Sequence, residues 1–355
     1  MTEKDFSISI DGLNLNQKGS TFAKSPSNIA LIKYWGKTEP QIPTNPSISY
    51  TLSKSFTETT LYFEPKKSEN QIITVFLDEK EKQDFVPKIE SFFKRISAYA
   101  PYLNRFDFTL KTYNSFPHSS GIASSASGMS AISACLVEME KTLGIDHEDS
   151  LTRISFLSRL GSGSACRSVY QGLVSWGKSD FIENSSDLYA TPLKNKIHPV
   201  FKTFHDAILL IHEGEKSVSS TVGHQLMNNH PYSELRFQEA KNNISKLIEI
   251  LVSGDLKAFG KLVEHEALSL HAMMMLSDPA FILMKPNTIR AIEAIWEFRK
   301  TSNLDVYFTL DAGANIHLLY PDNIRDLVIE FIQSELLNFC QNQSVIFDQV
   351  NFDAL

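Results

Sequence analysis

Between Pro117 and Gly128 the chain reads PHSSGIASSASG, and directly afterwards apolar residues recur at Met129, Ile132, Leu136, Met139 and Leu143. Steps of three and four predict a helix from about Ser125 to Leu143 that stops at Gly144. At 1.5 Å per residue it is roughly 28 Å long. A flexible linker has no need to start a helix, whereas this stretch runs straight into one. The first turn of a helix carries unpaired N–H groups and a partial positive charge, and small residues ahead of it let a phosphate approach the backbone closely. Gly121, Ala123, Ser124, Ser125 and Ser127 supply that arrangement. An ordinary capped helix behind a small-residue loop has the same pattern. The P-loop motif G-x-x-x-x-G-K-[ST] is absent, so a nucleotide here is held in another way.

A helix of this length needs a sheet or other helices to cover its apolar stripe. The first half offers strand-like runs, IALIKYW, SISYTL, TTLYF, IITVF, FDFTLKTY and GLVSWG, separated by Ser, Gly, Pro and Asn. Helical patterns are interleaved among them. The segment PLKNKIHP, ending at Pro199, reads as a domain joint. Beyond it come a strand AILLI, a largely helical stretch from about Ser233 to Leu276, strands VYFTL and IHLLY around the turn DAGAN, a helix from Ile324 to Phe339, and a last strand SVIFDQV. Mixing without strict alternation predicts an α+β fold in two domains, 1–199 and 200–355.

At 355 residues the chain is long enough for two such cores. Cys135, Cys166 and Cys340 are an odd number without C-x-x-C spacing, which suggests neither a disulfide framework nor a zinc site and fits a reducing cytoplasm. The N-terminal MTEKDFSISIDG lacks a signal-peptide pattern, and no apolar run approaches membrane-spanning length. The net charge of −7 and the scattered basic residues argue against a nucleic-acid surface. A small anion remains compatible, since it needs only a few placed cations and backbone N–H groups.

Other segments narrow the reading. FAKSPSNIALIKYWGK places Asn28, Lys33, Tyr34 and Lys37 around a strand end; RLGSGSACRS places Gly161, Gly163 and serines just before Arg167; TLDAGANIHLLY puts Asp311 at a strand end entering a glycine turn. Each has a bland alternative: a solvated lysine, a loop, a turn-forming aspartate. Taken together, SPSNIALIKYWGK, PTNPSIS, SSGIASSASG, GSGSACRS and DAGAN, in this order and at these separations, resemble the mevalonate diphosphate decarboxylase family of the GHMP kinase superfamily. The resemblance covers nearly the whole chain. KYWGK and GSGSACRS are its specific pieces; the serine loop alone indicates only the superfamily.

The resemblance implies a two-domain GHMP kinase fold, with an N-terminal ATP-binding domain, a C-terminal ferredoxin-like α+β domain and the active site in the cleft between them. It implies conversion of mevalonate 5-diphosphate and ATP to isopentenyl diphosphate, carbon dioxide, ADP and phosphate, with Mg2+, in isoprenoid biosynthesis, and a homodimer. By the same resemblance Asp311 orients the tertiary hydroxyl and takes its proton. Lys33 keeps Asp311 ionised. Arg167 holds the substrate carboxylate through a planar fork. The substrate diphosphate is implied to lie near Asn28, Tyr34, Trp35, Gly36 and Lys37, under a loop of Ser162, Gly163, Ser164, Ala165 and Cys166, with Thr221 contributing from the second half. ATP phosphates are implied to rest on Gly121, Ala123, Ser124, Ser125 and Ser127. Metal ligands are not indicated.

The chain departs from the family pattern at PHSS before GIASS, at Ala314 after DAG and at His224 after SSTVG; His118 and His224 are read as ordinary polar residues. HEALSLH, from His265, is no zinc helix, because the position four residues on is Ser269. Met273, Met274 and Met275 are read as packing residues. Rival readings are a phosphomevalonate decarboxylase, a mevalonate 3-kinase and a non-catalytic ligand sensor that kept the fold.

Overall fold

The computed structural model describes residues 1–117, 122–193, 196–214, 218 and 220–352. Its first part contains β1 (Gly19–Ile32), the short hairpin β2 (Lys37–Thr38) and β3 (Ile42–Pro43), then β4 (Ser47–Pro65), β5 (Ile73–Leu77) and β6 (Lys80–Glu81). Helix α1 (Val86–Ile96), β7 (Phe106–Asn114), α2 (Ser124–Thr142), α3 (Ser150–Gly161), β8 (Leu173–Trp176) and β9 (Ala190–Pro192) follow. One sheet runs in the order β6-β5-β7-β4-β8-β9, and β1 pairs antiparallel with β4 from Gly19↔Phe63 to Ile32↔Ile48.

SISYTL and TTLYF, which read as separate strands, are the two ends of β4. The polar SKS between them hides the continuity. Its backbone N–H groups at Ser53, Lys54 and Ser55 donate to the Asp348 carboxylate at 3.0, 2.8 and 2.7 Å. Beyond it, burial along β4 alternates as period 2 requires: Thr57, Thr59, Leu61 and Phe63 face inward, while Tyr62 and Glu64 face out. Of these, Leu61 and Phe63 share a core with Phe92 and Phe93 of α1, Leu136 and Met139 of α2 and Phe156 of α3. Each fully buried Leu or Phe of this kind contributes roughly 1.5–3 kcal/mol. Strand β1 also starts earlier than IALIKYW suggests, and it ends at Ile32, before the Lys33–Lys37 segment.

The second part holds β10 (His205–Leu209), α4 (Ser220–Leu226), α5 (Ser233–Ser253), α6 (Leu256–Met275), α7 (Pro286–Ser302), β11 (Tyr307–Thr309), β12 (Ile316–Tyr320), α8 (Arg325–Ser334) and β13 (Val345–Gln349). Its antiparallel sheet has the order β11-β12-β10-β13. The helical stretch from Ser233 is two helices: Gly254 takes the left-handed conformation that ends α5, and Asp255 caps α6 by accepting from the Ala258 N–H at 2.9 Å. Helix α7 had no counterpart in the sequence reading, and α8 stops at Ser334, short of Phe339.

The two sheets share a core. Ile29, Leu31, Ile48 and Tyr50 from the first cluster with Ile208 and Leu319 from the second and with Leu247 of α5 and Phe259 of α6. The C-terminal segment laces them together: Asn351 N donates to Thr51 O at 2.9 Å, Val350 N to Phe204 O at 2.9 Å, and Asp348 grips β4. No helix among the described residues is long and apolar enough to cross a membrane.

Candidate active site

Chain direction at the end of β1 brings Lys33 to the seam between the sheets, and the end of β11 brings Asp311 to meet it. Lys33 Nζ donates to Asp311 Oδ1 at 2.8 Å and to the Ala30 carbonyl at 2.6 Å. The lysine is only 2% exposed, whereas the aspartate opens towards the cleft. Both main chains are anchored. The Lys33 N–H donates to Glu266 Oε2 at 2.9 Å, the Lys33 carbonyl accepts from Asn45 Nδ2 at 3.0 Å, and His271 Nε2 lies 3.1 Å from the Asp311 carbonyl. Burial pushes the Asp311 carboxyl up, but Lys33, then His317 and Arg167, outweigh it and hold it below the usual carboxylate value. Burial lowers Lys33 in turn, against the support of Asp311 and Glu266. An ionised, partly open carboxylate beside a buried ammonium can orient a hydroxyl and accept its proton.

Arg167 lies on the tight turn Gly163–Val169, buried, with Nε 3.3 Å from Asn28 Oδ1 and Nη1 on the Ser47 hydroxyl. The guanidinium is therefore aimed by two neighbours while it still borders the cavity. Asn28 also donates to Ser168 Oγ at 2.8 Å, so it clamps the turn from behind. Gly163 has no room for a side chain: a Cβ there would meet Trp176 at 2.6 Å and the Tyr34 hydroxyl at 2.8 Å.

A cavity of about 680 Å³ joins these groups. Lys33, Tyr34, Lys37, Arg167 and Asp311 line it, as do Ser162, Gly163, Ser164 and Trp35. Lys37 Nζ donates to Gln41 Oε1 at 2.8 Å. Ala123, Ser124 and Ser125 border the same space at the start of α2, where Ala123 sits at φ 46° and no side chain caps the helix. Apolar residues Val75, Leu77, Phe85, Ile89 and Leu110 line it further, and Lys88 reaches Ser125 Oγ at 2.9 Å.

Several predicted site residues stand elsewhere. Ser127 is buried with its hydroxyl 2.7 Å from that of Thr57, so its side chain faces the sheet rather than the cavity. Ala165 and Cys166 are fully buried behind the turn, where Cys166 Sγ donates to the Gly163 carbonyl at 3.0 Å. Gly36 contributes backbone only: at φ 104° it donates its N–H to His224 Nδ1 at 2.9 Å, and a Cβ would strike Thr44 and Phe237. Gly121 and His118 lie outside the described residues, and so does the side chain of Thr221, whose backbone belongs to α4. Ala314 is buried, and its carbonyl accepts from Thr288 Oγ1 at 2.8 Å. His224, read from the sequence as an ordinary polar residue, is buried in the cavity wall between Tyr34 and Trp35, at ring centroid distances of 4.3 and 4.7 Å.

Sequence reasoning passed over Glu266. It sits inside HEALSLH, whose histidines are the residues that zinc spacing singles out; His265 is on the outside with Glu239, at 2.6 Å. Glu266 is fully buried, takes both guanidinium nitrogens of Arg236, and accepts from Asn243 at 2.7 Å. The inward position four residues before Leu270 was its only signal. Met274 packs with Trp35, Met227 and Leu270, as a packing residue should, while Met275 is exposed.

Comparison with known proteins puts both parts of the chain in one context. Residues 25–189 match the diphosphomevalonate decarboxylase-like N-terminal domain, and residues 207–353 match the mevalonate 5-diphosphate decarboxylase C-terminal domain. The diphosphomevalonate decarboxylase of Saccharomyces cerevisiae is 30% identical over 328 residues, 87% of this chain and 79% of the relative. A phosphomevalonate decarboxylase from Haloferax volcanii is 27% identical over 315 residues, 87% of this chain and 91% of the relative. Among solved structures, MDDEF in complex with MVAPP, AMPPCP and magnesium superposes with a TM-score of 0.81 at 26% identity, over 94% of this chain and 98% of that one.

Proposed function

The chain belongs to the diphosphomevalonate decarboxylase family, with its two-domain GHMP kinase fold, and on that premise we propose how its own residues carry out the reaction. The enzyme is a diphosphomevalonate decarboxylase: mevalonate 5-diphosphate and ATP give isopentenyl diphosphate, carbon dioxide, ADP and phosphate. The observation that carries the assignment of roles is the Lys33–Asp311 pair, 2.8 Å apart on the cavity that Arg167 also borders.

Asp311 orients the tertiary hydroxyl and accepts its proton as that oxygen takes the phosphoryl group. Lys33 holds the carboxylate ionised until then. Arg167, aimed by Asn28 and Ser47, grips the substrate carboxylate so that the bond to be broken lies in line with the departing phosphate. When the carbon–oxygen bond breaks, the electron pair of the carbon–carboxyl bond moves to form the double bond, and carbon dioxide leaves. Tyr34, Trp35 and Lys37, with Ser162, Gly163 and Ser164, receive the diphosphate. Gly36, Asn28, Ala165 and Cys166 act from behind, by shaping those segments.

The residues present fit a nucleotide. The uncapped start of α2, Ala123, Ser124 and Ser125, offers backbone N–H groups to phosphates, and Val75, Leu77, Phe85, Ile89 and Leu110 give an apolar surface to a base. Gly121 completes the proposed phosphate contacts, Ser127 supports them from within α2, and Thr221 contributes to the substrate diphosphate from the second half. Bound ATP with Mg2+ supplies the phosphoryl group and neutralises its charge, since magnesium typically rides on phosphates with few protein ligands. The cysteines Cys135, Cys166 and Cys340 are unpaired, which supports a reducing, cytoplasmic setting. Two copies of the chain associate in this reading; a monomer by light scattering at working concentration removes that part.

The test is an end-point assay with ATP and magnesium, offering mevalonate, its 5-phosphate and its 5-diphosphate separately. ADP and carbon dioxide in equal amounts from the diphosphate alone is the expected result. Preference for the monophosphate, ADP without carbon dioxide, or silence would each replace the reading with one of its rivals.

A further inference from the structure

His224 has one nitrogen committed and one uncommitted. A backbone N–H can only donate, so the 2.9 Å contact from Gly36 N requires a bare Nδ1 on the imidazole. In a neutral ring the proton then sits on Nε2. The ring is neutral: burial, reinforced by the nearby charges of Lys37 and Arg167, pushes its pKa down to about 3. It is also fixed in place. Tyr34 and Trp35 flank it, and the preceding Gly223 lies so close to Trp35 that a Cβ would meet the indole at 2.5 Å. The side chain is 8% exposed, and the little surface it keeps belongs to the cavity shared with Tyr34, Lys37, Gln41 and Arg167. Among the described residues Nε2–H has no hydrogen-bond partner. This donor is not sealed off like the unpartnered hydroxyl of Tyr50; it opens on the cavity, where water or an anion's oxygen can answer it.

We propose that His224 is a substrate-specificity residue whose Nε2–H donates to a phosphoryl oxygen of the substrate's diphosphate. The proposal rests on the family reading for the identity of that substrate. The chemistry it names is more general: an anion with phosphoryl oxygens, met by a neutral donor among the cations Lys37 and Arg167. The N–H of Gly36 is occupied by the imidazole, so the Tyr34–Lys37 segment presents the histidine's donor in place of its own, one ring width further into the cavity. Because the ring does not charge, this donor holds its geometry across the working pH range.

Three proteins are compared: the wild type, His224→Phe, which keeps the flanking aromatic contacts but removes both nitrogens, and His224→Gln, which can still accept from Gly36 and donate to the cavity. Binding is measured by calorimetry with sodium pyrophosphate, mevalonate 5-diphosphate and ATP. Loss of a hydrogen bond to a charged group predicts roughly ten- to hundredfold weaker binding of both diphosphates by His224→Phe, a smaller change for His224→Gln, and unchanged ATP affinity. The wild type is also labelled with 15N-histidine. One ring should show an unprotonated Nδ1 and a protonated Nε2 from pH 5 to 9, with the Nε2 resonance shifting on addition of pyrophosphate. Wild-type affinity in His224→Phe, a ring protonated at Nδ1, or an unmoved Nε2 resonance would each overturn the proposal, and the NMR arm decides it even if the variants do not fold. His224-dependent pyrophosphate binding with no response to mevalonate 5-diphosphate would leave this inference standing and remove the reading of the substrate.

Discussion

Lys33 and Asp311, 278 positions apart in sequence, are joined by a 2.8 Å contact across the seam between the two sheets. The ammonium is buried and the carboxylate faces the cavity, so the pair has a protected side and a working side. That asymmetry makes the aspartate the group that meets substrate and the lysine the group that sets its charge.

Asp311→Asn keeps the shape and the Lys33 contact but removes the proton acceptor. Turnover should fall by about 10²- to 10⁴-fold, the usual weight of a general base, while calorimetric affinity for mevalonate 5-diphosphate changes little. A variant that retains full production of ADP and carbon dioxide would remove Asp311 from the chemistry.

Lys33→Gln should move the acid limb of the kcat/KM profile to higher pH. In the wild type Asp311 is held below its ordinary value, so its ion pair contributes stability above the unfolded carboxylate pKa and loses it only as pH falls through the lower folded value. Without Lys33, burial pushes the carboxyl up, opposed only by His317 and Arg167. The wild-type basic limb should begin below the ordinary lysine range, because burial lowers Lys33 despite Asp311 and Glu266; in Lys33→Gln that limb should vanish. The slope of stability with pH has the same sign for this group, whose folded value is also depressed: folding disfavours its charged form, and that cost is relieved as pH rises through the folded value towards the unfolded one. An acid limb at the same pH in both proteins contradicts the coupling.

Arg167→Lys replaces a planar fork with a point charge that cannot reach Asn28 and Ser47 together with a ligand. Turnover should drop far more than ATP affinity does. Equal turnover in the two proteins would reduce Arg167 to a general cation.

Arg236→Gln and Glu266→Gln should differ in cost. Glu266 is fully buried and takes a two-pronged contact from Arg236, whereas Arg236 has a second carboxylate, Glu239, at 3.2 Å. Removing the arginine leaves a buried carboxylate without its main cation and should destabilise by about 3–5 kcal/mol in urea unfolding; removing the glutamate's charge should cost less. The double variant should cost less than the sum. Equal single effects that simply add would mean the two side chains are not coupled. Because Glu266 holds the Lys33 N–H at 2.9 Å, Glu266→Gln should keep more activity than Glu266→Leu, which loses the acceptor.

Much of this was legible locally. The step pattern from Met129 to Leu143 and the turn at Gly144 specify α2 because helix periodicity and a left-handed stop are properties of neighbouring residues. KYWGK, GSGSACRS and DAGAN marked the segments that converge on one cavity, since close approach demands glycine at positions such as Gly163 whatever surrounds it. What the chain could not declare locally depends on partners distant in sequence. The continuity of β4 rests on Asp348, nearly three hundred residues away, answering the N–H groups of a polar stretch that reads as a break. Ser127 looks identical to Ser124 and Ser125 in sequence, yet helical phase turns it to Thr57 and away from the cavity. Glu266 and His224 resemble surface polar residues until tertiary packing buries one beneath Lys33 and wedges the other between Tyr34 and Trp35. Sequence by itself determined the elements and the chemical groups; tertiary structure decided which groups lose water and whom they then answer, because burial, unlike periodicity, is set by the whole fold.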